Sequence, residues 1–505
     1  MKKSWKIYIG LLGYAILLML LCAGSSPIIR YLSPDSSIFY TVGRSVANGT
    51  ILYKEIADHK GFYLFLFNAV GAWLAPDSMN GIFTVEIVFA WVKLIFLYKI
   101  ASLYLKNTQT CILSALIFMA VATNFLSWNT GNLGETFALT FQLISLYYMA
   151  VYVQKNQEAK GILEHDQWHM LVHGLCAGIV LFIQANLIAM WIPFGIGLAI
   201  ALLTNKYVRN FFSNLLFLLL GAGLAALPVM LYGLINNCIA DMYYVMFEIN
   251  FLYSADGRIG KSLSGYLKEF ILSPSVVIVV LALAGVITAC YYYKRKYVAL
   301  SIIAMFLFSI VCMSVSLNAN PIYYTTYMPF MFPFFIWIAQ CRKEKWFVFE
   351  CALVLAITVA CNMQLMKKVF GIGTSGYAYE SAYQMGDLIE DKDAAVLVLG
   401  SSLYYNCTGT LPHIKYFTIF GSGLRYETFP YCIDEQYASL CSGENEYIIV
   451  EFIDDGYTFF GEENETMDHN MSLCLERDYS MILDYNNGGI HAGLYKRNGM
   501  PESVE

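Results

Sequence analysis

The chain has 505 residues, 58% of them hydrophobic and only 13% charged, with a mean hydropathy of +0.55, which excludes a soluble globular protein of this size. Its formal net charge is −6, the acidic excess gathers after residue 380, and no basic patch suggests nucleic acid as a partner. What remains is a polytopic α-helical membrane protein.

In chain order, Ile7 to Cys22 is an apolar run behind Met1-Lys2-Lys3, with polar Gly24-Ser25-Ser26 after it. A signal peptide has the same outline. Because the chain that follows is itself a membrane protein, the run is read as an uncleaved first span. Pro34 to Gly61 is then a polar, charged island between apolar segments, holding Asp35, Glu55, Asp58, His59 and Lys60. Within it Ile38, Val42 and Val46 recur at helical spacing and Asn48-Gly49 supplies a stop, so a short amphipathic helix on the membrane is expected. Asp35 at its start has a plain role as an N-cap, and the helix dipole would also hold it ionised.

Further spans are expected at roughly 80–105, 110–127, 135–153, 171–184, 186–203, 211–235, 275–293, 297–316, 324–340 and 345–363. Phe62 to Ala75 gives roughly 21 Å of helix against a hydrocarbon core of about 30 Å, so it should dip in and return, or lie at the interface. Basic clusters decide the count. Lys2/Lys3/Lys6, Lys155/Lys160, Lys206/Arg209, Lys294-Arg295-Lys296 and Arg342/Lys343/Lys345 should all be cytoplasmic, which requires an even number of spans between successive clusters. The parity predicts about 11 transmembrane helices, an inside N-terminus, and a plasma-membrane protein whose C-terminal part lies outside. The first loop, Trp128 to Glu135, Asn236 to Pro274 and Asn318 to Tyr324 then share the outer face.

From residue 363 the composition changes. Short runs such as Ala395 to Leu399 and Tyr447 to Phe452 are bounded by Gly, Ser and charged residues, as strands are. Residues 1–362 therefore read as a membrane-embedded catalytic domain and 363–505 as an external α/β domain. Cys407, Cys432, Cys441 and Cys474 lie in the latter, an even number that permits two disulfides by any of three pairings.

The chemistry collects on the outer face. Asp58-His59-Lys60-Gly61 places an acid, an imidazole and an ammonium before an apolar helix. Lys60 suits a phosphate, and the helix N-terminus would add backbone donors. The plainer role is capping and snorkelling. Glu135 stands at the mouth of a span, where an ionisable group is costly unless paired or wet; with Asp35 and Asp58 it makes three carboxylates that a folded chain could bring together. Arg258 lies in an aromatic loop between Gly257 and Gly260, which allow close approach to a ligand. His165, His169 and His173 recur at spacing four, but only Asp166 accompanies them as a metal ligand.

The first span, the early Asp35, "NGTILYKEIADHKG" and the later "GNLGE" together resemble the GT-C superfamily of polyprenyl-phosphate-sugar-dependent glycosyltransferases, in particular the protein mannosyltransferase and aminoarabinose transferase group. The resemblance implies an inverting transfer, with Asp35 as catalytic base and His59-Lys60 near the donor phosphate. Phe62 departs from it, since proline usually follows the motif. Topology points to the same donor: nucleotide sugars are cytoplasmic, so a donor on the outer face must be carried by a membrane lipid. The expected catalytic residues are Asp35, Asp58 and Glu135, with His59, Lys60 and Arg258 on the donor phosphate. The expected partners are a polyprenyl-phosphate sugar, membrane lipid and an acceptor hydroxyl of unspecified origin. No Asp-x-Asp pair within residues 1–362 calls for a divalent cation, and that requirement stays open. The competing classes are a lipid-linked oligosaccharide flippase, for which no inverted repeat is visible, and an O-antigen-type polymerase or ligase built around a central external loop.

Overall fold

The computed structural model describes residues 4–293, 296–315, 317–341, 346–370, 380–418, 429–452, 465–487 and 490–499. Lys2, Lys3, Lys294, Arg295, Arg342, Lys343 and Lys345 of the basic clusters lie outside them. The chain is mostly helical. Its first part comprises α1 (Ser4–Cys22), α2 (Pro34–Ala47), α3 (Phe62–Leu74), α4 (Asn80–Tyr104), α5 (Thr108–Ala122), α6 (Phe125–Trp128), α7 (Gly134–Glu158), α8 (Gln167–Leu181), α9 (Trp191–Thr204) and α10 (Val208–Ile235). Then come α11 (Ile239–Tyr243), α12 (Ile249–Asp256), α13 (Leu263–Leu272), α14 (Val276–Tyr292), α15 (Lys296–Met313), α16 (Met328–Gln340), α17 (Phe347–Cys361) and α18 (Met363–Val369).

Among the described residues six helices are long and apolar enough to cross a membrane, or seven if α13 and α14, bent by 85°, make one span. The other expected spans hold shorter helices: α5, α8 and α17 have 15 residues each and α16 has 13. α8 is short for a visible reason. It stops at Leu181, and the carbonyls just beyond it are used by another segment: Gly61 N–H donates to Ile183 O at 2.9 Å and Tyr63 N–H to Phe182 O at 3.0 Å. Thus the unpaired acceptors after one helix meet the unpaired donors at the start of α3.

The bundle has two chemically different ends. At one, the Lys155/Lys160 and Lys206/Arg209 segments meet: Tyr207 Oη donates to Ile162 O, and Asn210 and Asn214 both donate to His165 O. Gln157 at the end of α7 reaches Tyr292 O, two residues before the next basic cluster in the sequence. His165 and His173 are buried there with Asn214 and Ser145 as hydrogen-bond partners, and no group of three metal-ligating side chains is present among the described residues. At the opposite end lie the first loop, the turn before α7, the α8–α9 junction and α12.

The second part carries α19 (Glu380–Leu388), β1 (Val396–Leu399), α20 (Leu403–Thr408), α21 (Tyr431–Ser442), β2 (Tyr447–Phe452), α22 (Glu465–Asp478), β3 (Tyr479–Asn487) and β4 (Ile490–Arg497). The sheet order is β1-β2-β4-β3, with β1 and β2 parallel and β4 antiparallel to both its neighbours. Side chains alternate between two cores, as the strand period requires. Val396, Val398, Ile449 and Leu494 join the apolar cluster of α2 and α3, while Leu397, Ile448, Val450 and Tyr495 pack with Leu440 of α21 and Leu475 of α22. Cys441 and Cys474 form a disulfide. Cys407 and Cys432 are not disulfide-bonded, so among the described residues one of the two permitted bridges is made.

Candidate active site

Three segments frame the site. The first is α2. Its N-cap is Ser33, whose Oγ accepts from Ser36 N–H; Asp35 sits in the first turn, which corrects the expectation that Asp35 itself caps the helix. That leaves the Asp35 carboxylate outside the capping contact while the helix N-terminus still favours its charge. α2 is also more enclosed than an interfacial helix, since Thr41 and Arg44 are buried against the second part of the chain.

The second is the turn 129–132, which delivers Glu135. Asn129, Thr130, Gly131 and Asn132 all have positive φ, at 45°, 76°, 82° and 49°. Left-handed backbone costs roughly 1–2 kcal/mol for each residue bearing a side chain, so the turn persists only because partners hold it. Gly24 N–H donates to Thr130 O at 2.7 Å, Ser33 N–H to Thr130 Oγ1 at 3.2 Å, and Ser36 Oγ to Gly131 O at 2.8 Å. Asn132 Nδ2 donates to Asn68 Oδ1 at 2.8 Å and to Ser36 O at 3.3 Å. The two strands of this contact, one ending in Asp35 and the other in Glu135, are therefore laced together.

The third is Asp58-His59-Lys60-Gly61. Asp58 is buried; its Oδ1 accepts from Lys60 N–H at 3.0 Å and its Oδ2 lies 3.6 Å from His59 Nδ1. Burial pushes its carboxyl up, but the His59 charge and hydrogen bond and the Lys60 ammonium and backbone N–H outweigh it and hold the carboxyl below its usual range. Tyr53 Oη donates to Lys60 O at 2.9 Å and Asn250 Nδ2 to His59 O at 2.6 Å. Gly61 is required by close approach: a Cβ there would stand 2.2 Å from Phe182 O. Because Lys60, Gly61 and Tyr63 all spend their N–H groups within the protein, the start of α3 does not offer them to a phosphate, against expectation. The Lys60 side chain remains.

These segments converge. Glu135 is buried and interacts electrostatically with the Lys60 ammonium, the Asp35 carboxyl and the Gln184 side chain. Tyr323 interacts with Tyr253; burial, Tyr253 and the carboxyls of Glu135 and Asp35 push its phenol well above the ordinary range, so it stays a proton donor. Tyr253 in turn stacks on His59 with ring centroids 5.4 Å apart. Beside the cluster is a cavity of about 270 Å³ lined by His59, Lys60, Gln184, Asn250, Tyr253 and Tyr323 and by apolar groups such as Met246, Phe247 and Met313.

Of the six expected residues, Asp35, Glu135, Lys60 and His59 come together, and Asp58 lies beneath them as their support. Arg258 is exposed and donates through Nε to Val315 O at 2.5 Å; Val315 belongs to the cavity wall, which places Arg258 at the rim. Tyr323, Gln184 and the buried Glu86 were not singled out in the sequence. Glu86 and Lys93 did carry a signal, being ionisable residues two turns apart inside an apolar helix.

No protein-family model and no curated protein matches the chain. Among solved structures it is similar to the Archaeoglobus fulgidus oligosaccharyltransferase tethered with an acceptor peptide, over 97% of this chain and 74% of that one, at 12% identity and a TM-score of 0.48. It is also similar to ArnT from Cupriavidus metallidurans over 98% of both chains at 11% identity, with TM-scores of 0.46 for the apo state and 0.45 for the state bound to undecaprenyl phosphate.

Proposed function

We propose that the chain is a membrane glycosyltransferase of the GT-C type that moves a monosaccharide from a polyprenyl-phosphate carrier to an acceptor hydroxyl. The observation that carries this reading is the meeting of Asp35, Glu135 and Lys60 beside a cavity lined by both polar and apolar side chains. A cation answers a phosphate, a carboxylate answers the proton of a hydroxyl, and apolar lining groups answer an isoprenoid chain.

In the reaction the acceptor oxygen bonds to the anomeric carbon from the face opposite the phosphate, and its proton passes to Asp35. The bond from the anomeric carbon to the phosphate oxygen breaks, and its electron pair leaves with the lipid phosphate, whose charge Lys60 holds in a site too apolar for water to screen it. The configuration inverts. Glu135 keeps the Lys60 ammonium in place between donors, Asp58 fixes the backbone from which Lys60 and His59 project, and Arg258 attracts the headgroup at the rim. No step is routed through a metal ion.

The basic end of the bundle is cytoplasmic in this reading, so the site and residues 363–505 lie outside the plasma membrane, with the N-terminus inside and eleven spans in all. The experiment is direct: purified protein is given a polyprenyl-phosphate monosaccharide, and release of polyprenyl phosphate is followed with a hydroxyl acceptor present. Release that depends on Lys60 supports the reading; a protein that binds and consumes no lipid-linked sugar from a panel of hexoses and pentoses overturns it.

A further inference from the structure

The strongest buried group that the transfer chemistry leaves unused is Glu86, in the first third of α4 and 4% exposed. Its two oxygens are engaged separately. Oε1 accepts from Asn132 N–H at 2.8 Å, and Oε2 accepts from the Ser25 hydroxyl. Ser25 belongs to the segment that runs through Gly24 and Ser33 into Asp35, and Asn132 belongs to the left-handed turn that runs into Glu135. A single carboxylate thus holds both of the strands that present the site's acids. Gly131 makes the approach possible, since a Cβ there would stand 2.3 Å from Glu86 Oε1. Lys93, two turns along α4, supplies the opposing charge and lies over the Trp128 ring at 4.7 Å, which seats the residue immediately before the turn.

We propose that Glu86 is a positioning residue of the transfer reaction: by binding Asn132 and Ser25 at once, it sets the separation of Asp35 and Glu135. This rests on the glycosyltransferase reading for its kinetic consequence and on geometry alone for its structural one. A carboxylate fits the task because it is acceptor-only at both oxygens. An amide keeps one acceptor and turns the other position into a donor. The backbone of Lys60 is held by a different set of contacts, to Asp58 and Tyr53 and through Gly61 to Ile183, so binding of the lipid phosphate depends on Glu86 far less than turnover does.

The test uses Glu86→Ala, Glu86→Gln and Ser25→Ala in full-length purified protein. A misplacement of about 1 Å costs on the order of a hundredfold in rate, so kcat of Glu86→Ala is expected to fall about that far, while binding of polyprenyl phosphate without a sugar stays within about twofold. Glu86→Gln, which still accepts from Asn132, recovers most of the loss, and Ser25→Ala shows a smaller loss of kcat of the same kind. Independently of activity, a short bis-maleimide cross-link between Asp35→Cys and Glu135→Cys is expected to form efficiently with Glu86 present and poorly with Glu86→Ala. Lost cross-linking with no transfer in the wild type would uphold the positioning role and overturn the glycosyltransferase reading. Unchanged cross-linking, or a kcat that falls only in proportion to phosphate binding, would overturn the positioning role itself; Ser25→Ala carries the test if Glu86→Ala does not fold.

Discussion

Arg44, near the end of α2, donates through Nη1 to the Tyr405 carbonyl at 2.8 Å, across 361 residues of chain. The same guanidinium reaches Thr410 O at 3.2 Å and Gly409 O at 2.6 Å, so a cation closes the C-terminal end of α20, where carbonyls lack helical partners. Asn406 of α20 answers with a bond to Ser37 O at 2.9 Å. The helix that presents Asp35 is therefore bolted to the sheet-bearing part of the chain.

Replacing Arg44 by Met leaves three carbonyls in a buried place without that donor, which is expected to cost on the order of 3 kcal/mol. Lysine recovers little, having no planar fork to span three acceptors. Limited proteolysis of the purified protein is the measurement: Arg44→Met should release the C-terminal part at protease levels that leave the wild type intact. Identical digestion patterns would mean that the shared apolar core alone holds the two parts together.

Asp35→Asn is expected to abolish transfer while leaving the protein inserted and folded, because Ser33 rather than Asp35 caps α2. The converse variant, Ser33→Ala, should lose about 1 kcal/mol of stability and keep measurable turnover. Thermal unfolding and product formation on the two variants separate the roles. Near-normal turnover by Asp35→Asn would move the base to Glu135.

Much of this site was legible in the sequence as chemistry and little of it as geometry. Asp35, Glu135 and Lys60 stand out because ionisable residues are rare in so apolar a chain, and the 13-residue length of α3 was readable from the spacing of polar flanks. Their meeting was not readable, because it depends on a left-handed turn and on the α8–α9 junction pairing with the start of α3. The cap of α2 was displaced by two residues, since Ser33 and Asp35 are both good caps and only backbone conformation chooses between them. Cysteine counting allowed two bridges; among the described residues only Cys441 and Cys474, 5.3 Å apart at Cα, are disulfide-bonded, while Cys407 and Cys432 pack in one apolar cluster without bridging.

Asp58 gives a prediction in pH. Its carboxyl is held below its usual range in the folded protein, so its contribution to stability is fully present above the unfolded value of about 3.9 and is lost as pH falls through the folded value. Asp58→Asn is then expected to cost on the order of 2 kcal/mol at neutral pH, and the gap to the wild type should close as the medium is acidified below about pH 4. Thermal unfolding in one detergent across a pH series measures this. A gap that widens toward acid would show that the asparagine fails for steric reasons rather than for loss of charge.

The last prediction concerns the path of α3. Its 13 residues make a helix of about 20 Å against a hydrocarbon core of about 30 Å. The turn that follows it returns to α2: Tyr40 Oη donates to Ser78 O at 2.9 Å, and Arg44 interacts electrostatically with Asp77. Since α2 also carries Asp35 at its other end, both ends of α3 lie against one short helix of 14 residues, which leaves no room for a full crossing between them. Lys54 and Asp77 are both exposed and should face the same compartment. Single cysteines at the two positions, treated in intact cells with a membrane-impermeant maleimide, should therefore label alike. Labelling at position 54 with protection at 77 would make α3 a true span, add one crossing to the count and place the α3–α4 turn on the far side of the membrane from the site.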